Sequence, residues 1–301
     1  MGIHRGQSGA GRPTAVAVLV AQITDVHLGF DPGNPDEYNR KRLDRTLRTL
    51  TEMTPRPDLL LVTGDIADNG DDRFSYDRFK EAIAGLPFPV CPAMGNHDNR
   101  AIFREVFPDT ADVGGFVQYT VEALPVRIIV LDTLEVGRHG GGFDEVRATW
   151  LEARLAEQPE RPTLLVLHHP PIATGLSWMT ENPQADWVQR LRPIVEANAN
   201  IVAMVTGHLH RPIVTRWAGT ALAVCPSTAP QVALDLEAMD PDHPDERPMI
   251  VADRPYFALH YWNGEGLITH FDTVEEHEVL ARFNPRRQGL IRMLNQERAA
   301  G

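Results

Sequence analysis

Residues 201–212 read IVAMVTGHLHRP, and the reading of this stretch sets the architecture. The apolar run 201–206 is short and rich in β-branched residues, the signature of a buried strand rather than a helix. It stops at Gly207 and is followed by His208 and His210. In an extended segment residues i and i+2 project to the same side, so both imidazoles reach one volume beyond the strand end. That volume could hold a metal ion. A polar loop with two solvated histidines is the plainer reading of the tetrapeptide alone, and the rest of the chain decides between them.

The same grammar recurs upstream. Apolar runs at 16–24, 59–63, 126–131 and 163–167 alternate with segments of helical spacing, such as Leu43, Leu47, Leu50 and Met53, or Trp150, Leu151 and Leu155. Alternation of this kind predicts a layered α/β architecture with helices covering sheets. Four later runs, 214–217, 221–224, 257–262 and 267–271, also read as strands. The last two are joined at Asn263-Gly264-Glu265-Gly266, a hairpin signal. They predict a second, more antiparallel sheet.

Polar residues of one chemical kind follow most of the apolar runs: Asp25 and His27, then Asp65, then Asn96, His97 and Asp98, then His168 and His169, and finally His208 and His210. In open α/β sheets the carboxyl ends of the strands gather in one crevice, which brings residues distant in sequence together. Three carboxylates, one carboxamide and six imidazoles would then converge. Oxygen and imidazole donors without thiolates suit first-row ions such as Mn, Fe, Co, Ni or Zn rather than an all-oxygen calcium cage. So many donors exceed the needs of one ion that keeps a reactive position open, whereas two ions sharing a carboxylate can use them. Asp65 is the natural bridge, because Gly64 before it lets the backbone turn closely around the site.

Composition bounds the partners. The chain has 301 residues, 43% of them hydrophobic, enough for a substantial core. Lys and Arg number 29 against 41 Asp and Glu, a formal net charge of -12, which argues against a general nucleic-acid or anionic-membrane surface. An anionic substrate would need a local positive centre. Two cysteines, Cys91 and Cys225, are too few for a disulfide framework or a thiolate zinc site. No apolar stretch approaches the roughly 20 residues that span a bilayer, and the first apolar run flows into Asp25 without a cleavage site. A cytoplasmic location is the expectation.

The ordered motifs DVH (25–27), GDIADNG (64–70), GNHD (95–98), HHPP (168–171) and GHLH (207–210) resemble the calcineurin-like metallophosphoesterase superfamily. Within it, the pattern from Asp25 to His210 is most similar to bacterial class III cyclic-nucleotide phosphodiesterases and related glycerophosphodiesterases, over about the first two-thirds of the chain. The resemblance implies a four-layer αββα sandwich of two mixed sheets. It implies one metal held by Asp25, His27, Asp65 and His210, and a second held by Asp65, Asn96, His168 and His208. The ions would be divalent or mixed-valence: Mn, Fe, Zn or Co. No ligand position is substituted. The implied reaction is hydrolysis of a small phosphodiester, a 3′,5′-cyclic nucleotide such as cyclic AMP or a glycerophosphodiester, by in-line attack of a metal-bridging hydroxide. His97, next to ligand Asn96, would donate a proton to the leaving alkoxide. Asp98 would orient that loop or that imidazole.

The remaining segments are assigned in outline. Residues 1–14 are expected to be a flexible leader, 15–275 the catalytic domain and 276–301 a basic tail, helical or disordered. The acid- and proline-rich 234–248 reads as a solvated loop, with a cap bordering the active site as its alternative. The glycine cluster 137–143 could bring His139 to a phosphate oxygen, and His169 could face substrate or support the metal site. Trp178, Trp187 and Trp217 read as packing residues, with Trp178 placed to line a cleft. Related proteins often self-associate through the region after the last metal motif, so a homodimer is expected. Two other functions compete: a phosphomonoesterase with the same metals, and a noncatalytic scaffold. An oxidoreductase fits poorly, since no Gly-X-Gly-X-X-Gly turn follows the first strand.

Overall fold

The structure, a computed structural model, describes residues 17–34, 36–110, 112–176, 178–274 and 277–300. The leader assigned to 1–14 lies outside the described residues. Two large sheets dominate. The first has five strands in the order Leu267–Thr273, Tyr256–Trp262, Val18–Ile23, Leu59–Thr63, Val90–Ala93. The second has six, in the order Ile213–Trp217, Thr220–Val224, Ile201–Thr206, Thr163–Val166, Arg127–Val130, Tyr119–Val121. Both are mixed: antiparallel strands lie at both rims of the second sheet and at one rim of the first, whose other rim, Val90–Ala93, is parallel to its neighbour.

The layering follows from the side-chain period of two in a strand. Val18, Val20, Leu59, Leu61, Ile128, Val130, Leu164, Val166, Ala203 and Val205 face one another between the sheets. The alternate residues Ala21, Ile23, Leu60 and Val62 pack on Leu43, Leu47, Tyr76 and Phe79 of the helices Tyr38–Glu52 and Arg73–Ile83. On the far side, Ile129, Leu165 and Met204 pack on Leu151, Leu155, Val188 and Leu191 of Glu145–Glu157 and Asp186–Ala197. Helix, sheet, sheet, helix is therefore the order of layers, as the resemblance implies. Trp187 and Trp217 are core residues of the second half.

The late strands do not form a sheet of their own, contrary to the sequence expectation. The hairpin 256–273 attaches antiparallel to Val18–Ile23, with Val18 opposite Trp262, while Ile213–Trp217 and Thr220–Val224 extend the second sheet. An uncovered flank of the buried first strand would leave a row of N–H and C=O groups unpaired, and the hairpin satisfies them.

One polar connection crosses the apolar middle layer. Gln22 Nε2 donates to Thr63 Oγ1 (2.8 Å) and to the Thr206 carbonyl of the other sheet (3.0 Å), and its Oε1 lies 2.9 Å from His260 Nε2. The two sheets are thereby registered one layer beneath the strand ends that carry the polar motifs. Residues 234–248 form no helix or strand, and the C-terminal helix Gln288–Ala300 leaves Leu290, Ile291, Met293 and Leu294 exposed.

Candidate dimetal site

Each site residue follows the carboxyl end of a strand from the parallel part of its sheet, and the loops that carry them are sewn together by backbone hydrogen bonds. Asp25 N donates to Gly64 O, His27 N to Asp65 O, and Gly207 N to His168 O. The turns are sharp. Seven described non-glycine residues have positive φ, and five of them are Asp25, His27, Asp65, His208 and His210. Side chains rarely adopt this left-handed region, so five such residues in one cluster mark a strained, functional arrangement. Gly64 shows why glycine stands before Asp65: at φ +99° a Cβ there would lie 2.7 Å from the Gly95 amide nitrogen.

The donors predicted for the first ion meet. His27 Nε2 lies 3.2 Å from His210 Nε2, His210 Nε2 3.3 Å from Asp25 Oδ1, and His27 Nε2 3.7 Å from Asp65 Oδ2. So do those for the second: His168 Nε2 is 3.3 Å from Asp65 Oδ2 and 3.1 Å from Asn96 Oδ1, and its ring packs edge-on against His208 at 5.1 Å. Asp65 Oδ2 faces both groups, while Asp65 Oδ1 accepts from the His97 amide at 2.8 Å. It is the carboxylate in bridging position.

The tautomers are set from outside. His210 Nδ1 donates to the Pro230 carbonyl (2.8 Å) and His168 Nδ1 to the Thr63 carbonyl (2.7 Å). Each Nε2 is therefore left facing carboxylate oxygens, an approach that needs a proton or a metal cation between ring and carboxylate. Burial alone would push the His168 imidazole down, yet the Asp65 and Asp25 charges raise it to about 9. Burial likewise works against the charged Asp25, and the His210 and His168 rings overcome it to leave the carboxyl lowered. Asp25 Oδ1 is nevertheless a buried oxygen with no hydrogen-bond partner. His208 differs: burial and the neighbouring imidazoles hold it well below the usual histidine range, so it stays a neutral donor. A carboxylate oxygen without a hydrogen-bond partner, Nε2 atoms turned inward on the carboxylates and a neutral His208 imidazole together fit cation ligation rather than a solvated polar loop.

His97 and Asp98 play different parts. The His97 ring lines the cavity and stands edge-on to His27 at 4.6 Å, and its Nδ1 donates to the Asp68 carbonyl at 2.7 Å. Asp98 does not orient that imidazole; it accepts from Gly95 N (2.9 Å), Ile66 N (3.2 Å), Ala67 N (3.3 Å) and Tyr76 OH (3.1 Å). It clamps the Asp65 loop to the Asn96 loop. Burial and the Asp65 charge push its carboxyl up to about 7.

His139 reaches the cavity wall, with its ring 4.7 Å from His208. His169 does not face substrate: it is 1% exposed, bonded through Nδ1 to Thr133 Oγ1 (2.8 Å), and its Nε2 has no partner. Its ring stands edge-on to His168 at 4.8 Å and tilted against His208 at 4.7 Å, packed behind the second group. Trp178, Met179, Val232 and Ile250 complete the cavity. Residues 239–247 face Trp178 across an adjoining groove, so the acidic loop borders the site. Sequence reasoning missed Asp68 as an orienting group. Its Oδ1 lies 3.2 Å from His27 Nδ1, and its place in GDIADNG was a signal that could have found it. The Thr63 and Pro230 carbonyls carry no sequence signal at all.

This fold and donor set define a phosphoesterase of the dimetal kind. The calcineurin-like phosphoesterase family model matches residues 18–212, and the chain belongs to that family. The chain is 32% identical, over 87% of its length and 95% of the relative's, to a probable glycerophosphodiester phosphodiesterase of Arcobacter nitrofigilis. It is 35% identical, over 72% of its length and 80% of the relative's, to a probable cyclic nucleotide phosphodiesterase of Rhodopseudomonas palustris. The fold is shared with a dimetal phosphatase from Danio rerio, at TM-score 0.61 and 15% identity, covering 86% of this chain and 97% of that one.

Proposed function

We propose that the protein hydrolyses small phosphodiesters, of the cyclic-nucleotide or glycerophosphodiester class, at a site holding two metal ions. The observation that carries this is the pair of donor groups sharing Asp65 beside His97. Asp25, His27, Asp65 and His210 would hold one ion, and Asp65, Asn96, His168 and His208 the other. Such ions, when bound, neutralise phosphate oxygens and lower the proton affinity of water. They also supply the positive centre that an anionic substrate needs in a chain of net charge -12.

The chain's own residues do the rest. With its Nδ1–H held by the Asp68 carbonyl, His97 in its protonated form has the Nε2–H left to give to the departing oxygen. His139, at the cavity wall, is placed to donate to a phosphate oxygen. Asp98 keeps the two ligand loops at a fixed separation. The oxygen and nitrogen donors, with both cysteines free, favour Mn, Fe, Zn or Co. Free cysteines and the lack, among the described residues, of a helix long and apolar enough to cross a membrane support a cytoplasmic catalytic unit spanning 15–275. The exposed Leu280, Phe283, Leu290 and Ile291 support a homodimer formed through the C-terminal region.

The test is hydrolysis of bis(p-nitrophenyl) phosphate and p-nitrophenyl phosphate by chelator-treated protein, before and after Mn²⁺ is restored, with His208→Ala alongside. Metal-dependent cleavage of the diester above the monoester, lost in the variant, is the expected result. Preference for the monoester would move the assignment to a phosphatase. Failure to bind two ions would revive the scaffold.

A further inference from the structure

Next to the metal donors lies a second cavity, of about 260 Å³, lined by His27, His210 and Asp68 on one side and by Phe30, Tyr38, Asn39, Ala229, Pro230 and Ile250 on the other. It shares His27, His210 and Ile250 with the cavity that holds His97. A group attached to a phosphate at the metal site can therefore enter it without leaving the protein surface. Its volume falls just below the ~300 Å³ at which pockets for drug-sized ligands begin. That suits one ring system and excludes a macromolecular partner.

The walls are apolar and in part unsatisfied as surface: Phe30 is 70% exposed and Ile250 52%. They are also built in advance. Arg42 is buried, lies over the Tyr38 ring at 5.3 Å, and donates to the carbonyls of Thr228 (2.7 Å), Ala229 (3.0 Å) and Asp253 (2.6 Å). One guanidinium thus fixes both the tyrosine wall and the Ala229–Pro230 wall, so the cavity needs little ordering when a ligand enters. The polar group offered at its base is an acceptor, the Asp68 carboxylate; the Asn39 carboxamide is buried, with its Nδ2 spent on the His27 carbonyl.

A glycerol arm could give a hydroxyl to Asp68 but would leave the apolar walls of Phe30, Tyr38 and Ile250 largely uncovered. A flat aromatic ring can stack on Phe30 and Tyr38 and also donate an N–H to the Asp68 carboxylate. Resting on the diesterase reading above, we propose that this cavity is the subsite for an aromatic base, and that nucleotide diesters are taken ahead of glycerophosphodiesters.

The test compares two esters that differ only in the base: adenosine 3′,5′-cyclic phosphate and base-free ribose 3′,5′-cyclic phosphate, with Mn²⁺-loaded protein. The expected preference in kcat/KM for the base-bearing ester is ~10-fold or more, in line with base–aromatic stacking. It should shrink toward one in Phe30→Ala, mainly through KM, with turnover of the base-free ester retained; Ile250→Ala, which also alters the wall of the metal cavity, is read only by the ratio of the two esters, which should shrink as well. Tyr38→Ala is a third variant, set apart because it also removes a contact of Arg42. Equal use of both esters by the unaltered protein, or an unaltered preference in Phe30→Ala and Ile250→Ala, overturns the subsite and leaves the diesterase reading standing. If no diester at all is cleaved, the diesterase reading fails, and the subsite is then judged by saturation-transfer NMR. Transfer to the base protons of adenosine 5′-monophosphate, lost in Phe30→Ala, would sustain it, and absence of transfer would overturn it.

Discussion

Single residues here are held by groups that the motifs do not include. His97 is bonded to a backbone carbonyl, that of Asp68, and lines the cavity, so its substitution should change chemistry more than folding. In His97→Ala we expect kcat on an alkyl diester to fall by ~10²–10⁴, the usual contribution of a general acid. The fall on bis(p-nitrophenyl) phosphate should be much smaller, because p-nitrophenolate leaves without a proton; equal losses on both would remove the acid role. His210→Ala should behave differently. It removes a donor to one ion while leaving the other group intact, so elemental analysis should read close to one ion per chain instead of two, with diesterase activity down ~100-fold or more. The seven proposed ligand positions could be picked out in the sequence because each is a polar residue of metal-binding type placed just beyond an apolar run. Asp98 was legible only as part of a motif. Its work, three backbone N–H groups from two loops, depends on where those loops come to lie.

Among elements, the buried strand ends depend on ion pairs and polar links that sequence patterning leaves unspecified. Arg100, on the helix Arg100–Val106, forms a two-point pair with Asp132 beyond the strand Arg127–Val130, at 2.6 and 2.9 Å, and Asp132 is fully buried. Arg100→Ala would leave that carboxylate without a counter-charge, held only by the Val117 and Leu134 amides at 3.0 Å each, and a loss of ~3 kcal/mol in urea unfolding is expected. His260, in the hairpin that closes the first sheet, is buried between Gln22 Oε1 and Thr269 Oγ1, each 2.9 Å away. Burial pushes its imidazole down to about 3. The unfolded chain takes up this proton near pH 6.5, the native chain only near pH 3, so the unfolded state binds more protons in between. Stability should therefore fall as the pH drops from about 6.5 to 3, by up to ~5 kcal/mol from this residue. His260→Gln should flatten that part of the stability–pH curve; an unchanged slope would assign the acid sensitivity elsewhere. The hairpin itself was readable from its Asn-Gly turn, but its partner was not. Pairing with Val18–Ile23 joins residues more than two hundred positions apart, and local pattern carries no record of which edge is open.

For the whole molecule, three apolar layers hold the sheets and helices together without help from the site. Chelation should abolish diesterase activity yet leave the far-ultraviolet dichroism native. Tm should drop only by what ion binding adds through mass action, and global unfolding on chelation would show that the ions are structural. Sedimentation of the full chain should show a dimer that residues 1–275 alone do not form. By itself the sequence determined the layered α/β class, through the two-residue and helical periods of its apolar positions, and the chemistry of the site, through donor types that only metal ions use in such number. Tertiary structure decided what depends on distance between remote segments. It set the tautomers of His168 and His210 through two backbone carbonyls, put Asp98 on loops instead of on an imidazole, and buried His169. It also assembled Phe30, Tyr38 and Ile250 into one cavity beside the metal donors. Substrate preference is decided by such walls, and their residues come from segments with no shared pattern, so no local reading of the chain could bring them together.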